Sequence, residues 1–376
     1  MTEPRTNLLG LTLKELSDFA VAAGESRYRG DQLFGWLYGK GAVSVESMSD
    51  LGKKFRERLH AAAFIQGVAP LTQQFSRRDG TTKFLFELRD GARIESVLIP
   101  PAAAFRDGTA DGEDEQRRLT LCVSTQVGCP LDCAFCATGT MGFIRNLTAG
   151  EIVDQILQVK RATGRKITNI VFMGMGEPLL NYDAVMTATD IIAAGTGIAA
   201  RRMTVSTAGR TDRIRQMGDE LRRVKLAVSL HSAVDETRTR LMPINRKHGL
   251  GDLAAALEHY YRRTRQRITF EYIFFDGIND ADTDVRRLIA FARRVPSKIN
   301  IIPFHSIAFT GIAGFGATLR PSPRVDEHVE SLRQAKLTVM VRSSAGEDIA
   351  AACGQLAVVP GHRRGGKKMA APAPAG

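Results

Sequence analysis

The chain has 376 residues, 44% of them hydrophobic and 24% charged. That is enough for one large and one smaller domain at roughly 100–200 residues each, and too apolar for wholesale disorder. The net charge of +12 favours a polyanionic partner, nucleic acid first, over a basic surface that is merely solvated. Four of the positive charges, on Arg363, Arg364, Lys367 and Lys368, sit in the tail GHRRGGKKMAAPAPAG; the body stays strongly basic without them. No charge-free apolar run of about 18 residues is available to cross a bilayer. The start, MTEPRTNLLG, has no apolar core for secretion, so a cytoplasmic protein with no membrane role is expected.

Residues 1–65 read as a small helical accessory domain. LKELSDFAVAAG and GDQLFGWLYGKG carry apolar residues at helical spacing with Gly near their ends. Lys53, Lys54, Arg56 and Arg58 add a basic cluster there. Residues 66–117 follow as a β-hairpin and linker. TTKFLFELRDGARIESVLIP divides at Asp90-Gly91, a favoured turn pair, and PAAAFRDGTADGEDEQ reads as a mobile loop.

From 118 to 350 strand and helix alternate. RLTLCVSTQVG, ITNIVFMGMG, RRMTVSTAG, VKLAVSLH, RITFEYIFF, KINIIPFH and LTVMVRS read as strands. Helical patterns lie between them, the first opened by Thr148 and Glu151 at capping-box spacing. Repeated β-then-α units imply parallel strands with right-handed crossovers. About six units make a partial or full barrel, with a doubly wound sheet as the alternative; both put chemistry at the C-terminal ends of strands. Residues 351–360 form a short terminal segment, and the Ala-, Pro- and Gly-rich tail 361–376 is expected to be disordered.

Five cysteines are present, an odd number that argues against a disulfide framework in a chain with no secretory signal. Cys129, Cys133 and Cys136 make C-x3-C-x2-C in a loop just after a strand. Three thiolates on one tight loop hold three corners of an iron–sulfur cube and leave one iron open, since full cysteine ligation takes four. A zinc site closed by Cys122 is the competing reading.

That spacing, with Phe135 just before the last cysteine, resembles the radical S-adenosylmethionine enzymes. The resemblance implies a 4Fe-4S cluster whose open iron binds S-adenosylmethionine, and a partial (β/α)6 TIM-like barrel. The segments YRGDQLFGWLY, RIESVLIP, LCVSTQVGCPLDCAFCATG, VFMGMGEPLLNY, RRMTVSTAG, AVSLHS, LMPINRKH and AACGQL, in that order, resemble one family within it more closely. This is the bacterial adenine C2 methyltransferase family acting on 23S ribosomal RNA and transfer RNA. Adenine C2 is an electron-poor carbon that cannot displace a sulfonium methyl group directly, and a carbon radical avoids the difficulty. The family therefore uses two S-adenosylmethionine molecules: one methylates a protein cysteine, and the other yields the radical that activates that methyl group.

On this resemblance Cys353 in AACGQL is the methylated cysteine, since a thiolate is the natural methyl acceptor. Cys122 releases the product through a transient disulfide with Cys353. Glu95 in RIESVLIP accepts the C2 proton, although alternation with Ile94 fits an exposed strand carboxylate equally well. Gly176, Glu177, Ser206, Ser229, Leu230 and His231 are expected to bind S-adenosylmethionine. The family has Asn where this chain has His305, which is expected to touch the nucleoside in its place. Arg222, Arg223, Arg262, Arg263, Arg265 and Arg267 are expected to attract RNA phosphates, and a buried target base is expected to be extruded. A reducing donor such as flavodoxin and a monomeric state complete the expectation. A C8-adenine ribosomal RNA methyltransferase of the same family stays open, with Pro178 after Glu177 favouring C2. A noncatalytic zinc- or cluster-bearing RNA-binding protein also stays open.

Overall fold

Consecutive β-then-α units place each new strand beside the last, and the chain follows that rule through one continuous sheet. The computed structural model describes residues 5–101 and 118–358, together with the backbone of 367–368. The linker 102–117 and the rest of the tail, with Arg363 and Arg364, lie outside the described residues.

The N-terminal part is helical, as its periodicity predicts. Helices α1 (Leu13–Ala22), α2 (Tyr28–Phe34) and α3 (Lys53–Ala62) pack around Leu16, Leu33, Phe55 and Leu59. A π-helical turn, Gly35–Lys40, extends α2. Strands β1 (Thr6–Asn7) and β2 (Ala63–Phe64) pair in parallel and close the unit. Its seam with the rest is polar as well as apolar: the buried Asp154 carboxylate accepts from the Val68 amide at 2.8 Å, and Arg161 donates to the Gly41 carbonyl at 2.9 Å.

An antiparallel meander follows, of β3 (Ala69–Phe75), β4 (Thr82–Glu87) and β5 (Arg93–Ile99). The hairpin turns at Asp90-Gly91, with Glu87 opposite Arg93. Strand β3 carries no sequence signal, because APLTQQF holds a Pro and no apolar alternation. Strand β5 continues antiparallel onto β6 (Thr120–Cys122) and so joins the meander to the parallel part.

RLTLCVSTQVG is not one strand. The ladder ends at Cys122, where Ser124 donates through its hydroxyl to the Glu95 carbonyl (2.6 Å) and through its amide to Gln155 (2.8 Å). Those bonds turn the chain out of the sheet. Strand β7 (Gln126–Gly128) then pairs with β8 (Phe143–Asn146) in a separate ribbon that carries the cysteine loop.

Parallel pairing resumes from β6 to β9 (Asn169–Phe172), β10 (Met203–Thr207), β11 (Lys225–Ser229), β12 (Ile268–Tyr272), β13 (Ser297–Ile301) and β14 (Val339–Val341). Six crossovers join these seven strands, through α4 (Ala149–Thr163), α5 (Tyr182–Gly195), α6 (Thr211–Asp219), α8 (Leu250–Thr264), α9 (Asp282–Ala292) and α11 (Val325–Gln334). Short inserts α7 (Asp235–Leu241) and α10 (Phe315–Thr318) stand at the strand ends. Strand order runs in sequence without reversal, which excludes the doubly wound alternative. Strands β6 and β14 are not neighbours, so the barrel is partial. Helix α4 starts with the Thr148/Glu151 capping box that the spacing predicts. The backbone of β15 (Lys367–Lys368) lies antiparallel along β3, where a disordered tail was expected. Among the described residues no helix is long and apolar enough to cross a membrane.

Candidate active site

Two adjoining cavities open at the C-terminal strand ends, of about 150 and about 100 Å³. The larger is lined by Cys129, Cys133 and Cys136 on one side and by Gly176, Glu177, Ser206, Ser229 and His231 on the other. The smaller is lined by Cys122, Cys136, His305, Arg342 and the Cys353 segment. Cys353 and Arg342 border both.

The cysteine loop is held from several sides. Cys129 donates its amide to the Gly142 carbonyl at 2.9 Å, and Ala134 to Leu241 at the end of α7, also at 2.9 Å. All three thiols share the rim of the larger cavity. Burial pushes the Cys129 thiol up to about 12 and the Cys133 thiol well above its ordinary value. Thiols that costly to ionise unaided suit a cationic iron cluster, which neutralises them. Among the described residues no group of three or more His, Cys, Asp or Glu side chains is gathered as a single metal ion requires. Three thiols on one rim fit three corners of a cluster.

The opposite wall is built from strand-end loops. Gly176 has φ +101°, and a Cβ there would stand 2.5 Å from the Gln126 Cβ, so only glycine fits. The following Glu177 carboxylate is buried and accepts from the Leu179 and Ala208 amides at 3.0 and 2.8 Å. Burial raises its pKa, against the pull of those amides. His231 has φ +53°, and its Nδ1 accepts from the Ile273 amide at 3.1 Å. That bond places the ring proton on Nε2, which is left to donate. Burial, helped by the Arg238 charge, lowers its pKa to about 3, so the ring is neutral near pH 7. Phe135 packs edge-on against it, 4.5 Å between ring centroids. Leu230 does not line the cavity: its side chain is buried in the core.

Cys353 reaches this place because its segment is clamped to the cysteine loop. Ala137 donates to the Gly354 carbonyl at 2.7 Å, and Thr138 to the Leu356 carbonyl at 2.6 Å. On the other flank Lys83 donates to the Ala350 carbonyl at 3.2 Å, and Ala357 to the Glu95 carboxylate at 3.1 Å. Glu95 is thus not an exposed strand carboxylate. Both faces of β5 are covered, its pKa is raised by burial, and Lys83 lies 3.1 Å away. It lines neither cavity. Cys122 is buried beside Cys353, and its thiol is pushed up to about 12 by burial. All five cysteines are free, so the expected disulfide is absent from this state.

Known proteins and a solved structure resemble the chain over nearly its whole length. The Radical SAM superfamily model matches residues 123–289, and the model of the ribosomal RNA large subunit methyltransferase N-terminal domain matches 6–65. The dual-specificity RNA methyltransferase RlmN of Syntrophobacter fumaroxidans is 45% identical over 92% of this chain and 96% of its own. That of Geobacter sulfurreducens is 43% identical over 93% and 91%. The crystal structure of a radical SAM methyltransferase from Sphaerobacter thermophilus superposes with a TM-score of 0.82, at 40% identity, covering 93% of this chain and 99% of the other.

The chain belongs to the RlmN family of radical SAM RNA methyltransferases.

Such enzymes use a 4Fe-4S cluster and S-adenosylmethionine. Within this RlmN-family site several residues escape sequence reading. Arg238, on α7, is fully buried. It donates to the carbonyls of Ala208, Ser229 and Leu230 and to Asn245, tying together the loops after β10 and β11. Arg342 stands 3.6 Å from buried Glu271, which accepts from Asn300 at 2.9 Å. Neither arginine has a local signal, because both depend on partners distant in sequence. The arginines expected to meet RNA lie elsewhere. Arg222, Arg223, Arg262, Arg263, Arg265 and Arg267 precede β11 or β12, at the strand ends opposite the cavities. Arg222 is paired with Asp190 and Glu220, and Arg267 with backbone and Thr338. Lys53 and Lys54 on α3 are exposed.

Proposed function

We propose that this chain methylates C2 of adenine in 23S ribosomal and transfer RNA through a methyl group first placed on Cys353. The observation that carries the reading is the position of Cys353 at the junction of the two cavities, between the cluster cysteines and Cys122. The relatives, dual-specificity RNA methyltransferases, support the RNA substrate. Cys129, Cys133 and Cys136 would hold the cluster, which would supply the electron for reductive cleavage of S-adenosylmethionine.

The residues divide the remaining work. Glu177 meets the ammonium group of S-adenosylmethionine, while Ser206, Ser229 and the Nε2–H of His231 donate to its oxygens. Cys353 accepts the methyl group as nucleophile. Once a hydrogen is taken from that methyl group, its carbon joins adenine C2. The radical adduct gives up one electron to a one-electron acceptor. The Cys122 thiolate then closes on the Cys353 sulfur, the sulfur–carbon bond breaks with its electron pair on carbon, a proton completes the methyl group, and a transient disulfide remains. Glu95 takes the C2 proton after leaving its contacts with Lys83 and Ala357, which its raised pKa favours.

The test is peptide mass spectrometry on the reconstituted chain incubated anaerobically with S-adenosylmethionine and no RNA. One methyl group on the Cys353 peptide, none on the Cys353→Ala protein, is the expected result. Methyl groups elsewhere, or unimpaired RNA methylation by Cys353→Ala, would contradict it.

A further inference from the structure

Methylation of a thiol by a sulfonium releases a proton, and the wall of the smaller cavity holds few groups able to take it. Arg342 has no acceptor nitrogen. Glu95 lines neither cavity, and its release from Lys83 and Ala357 belongs to the later transfer of the adenine C2 proton. Thr138 and Ser343 are hydroxyls, weak bases at neutral pH. Among the lining residues the one imidazole is that of His305.

His305 sits just past the C-terminal end of β13, with its side chain only 4% exposed. Its Nδ1 is buried and makes no hydrogen bond, yet it lies 3.4 Å from Oε1 of Glu347. Glu347 opens the short 3-10 turn Glu347–Ile349, which leads directly into the segment carrying Cys353. An imidazole and a thiol thus line one cavity, with the Glu347 carboxylate beside the imidazole and outside the lining. In that arrangement a base oriented by a third group activates a nucleophile.

We propose that His305 is the proton acceptor for Cys353, oriented by Glu347. The Nδ1–H turns to the Glu347 carboxylate, a contact that tightens as the cavity fills, and Nε2 is left as acceptor. In the step, the sulfur–hydrogen bond of Cys353 breaks and its proton passes to Nε2. The sulfur's electron pair forms the new bond to the methyl carbon. The old methyl–sulfonium bond breaks, and its electrons stay on the departing thioether. Cys122, Cys136 and Arg342 also line this cavity. On the larger cavity, which Cys353 also borders, His231 already accepts through Nδ1 from Ile273, Glu177 accepts from Leu179 and Ala208, and Glu271 faces Asn300 and Arg342. The inference rests on Cys353 being the methyl acceptor.

The test is the rate at which iodoacetamide alkylates Cys353 in the reconstituted full-length chain, followed by peptide mass spectrometry from pH 6 to about 10. His305→Asn is expected to slow alkylation about tenfold at pH 7, less than full general-base catalysis because the reagent is not held in place. The rates are expected to converge at the alkaline end. Glu347→Gln, on a half-exposed side chain, is expected to give a smaller loss in the same direction and decides the matter if His305→Asn does not fold. Wild-type rates and an unchanged pH profile in the folded variants would overturn the proposal. Since the assay needs neither RNA nor S-adenosylmethionine, a His305-dependent rate beside absent RNA methylation would sink the function and leave the pair standing.

Discussion

Replacing Arg238 with Met keeps the bulk of a fully buried side chain and removes its charge and donors. The Leu230 carbonyl keeps a second donor, the Ser232 amide at 2.7 Å. Ala208 O, Ser229 O and Asn245 Oδ1 lose the bonds at 2.7, 3.1 and 2.7 Å. Buried acceptors left unpaired cost about 2 kcal/mol each. Against this stands relief: burial pulls the guanidinium down to about 10, a standing cost of about 3 kcal/mol at neutral pH. The balance is a loss of about 3 kcal/mol, a large share of a stability of about 5–15 kcal/mol. Guanidinium chloride unfolding at pH 7.5 measures it. The same variant is expected to bind S-adenosylmethionine more weakly, because the strand ends carrying Ser206 and Ser229 lose the tie between the loops that follow them. Stability unchanged to within about 0.5 kcal/mol, or increased, would refute the reasoning and mean that the buried charge costs as much as its bonds return.

Two further outcomes follow from the same wall and its clamp. His231 has a folded pKa near 3, below that of the unfolded chain. Its contribution is complete above about pH 6.5 and declines as pH falls toward 3, by about 1.4 kcal/mol per pH unit. His231→Asn should flatten that acid limb in urea unfolding measured from pH 3.5 to 7, and an unchanged slope would count against a neutral buried ring. For the clamp, Glu95→Gln strands the Lys83 charge and is expected to cost about 3 kcal/mol, while adding Lys83→Met should recover part of the loss. A double-mutant cycle with purely additive effects would show that the pair is not coupled.

The sequence made the order of elements legible because the crossovers are regular: each strand pattern from ITNIVFMGMG to LTVMVRS appears where expected. It misled at RLTLCVSTQVG, where side-chain bonds from Ser124 and Gln155 override β propensity. It was silent on β3, whose pairing comes from β4 rather than from its own pattern. The cysteine loop, Glu177 and His231 stand on one cavity wall, and each lies in a local motif visible in the sequence. Arg238, Glu271 and Arg342 were not, since their roles come from partners brought near only by the closed turn of the sheet. Charge was legible in amount but not in place: the arginines counted for RNA stand at the strand ends away from the cavities.

The central claim is tested most directly by nucleoside mass spectrometry. Unmodified 23S ribosomal RNA and transfer RNA would be incubated anaerobically with the reconstituted chain, reductant and S-adenosylmethionine. The account predicts 2-methyladenosine in both RNAs. Only 8-methyladenosine, or no methylated adenosine with the cluster verified, would contradict it.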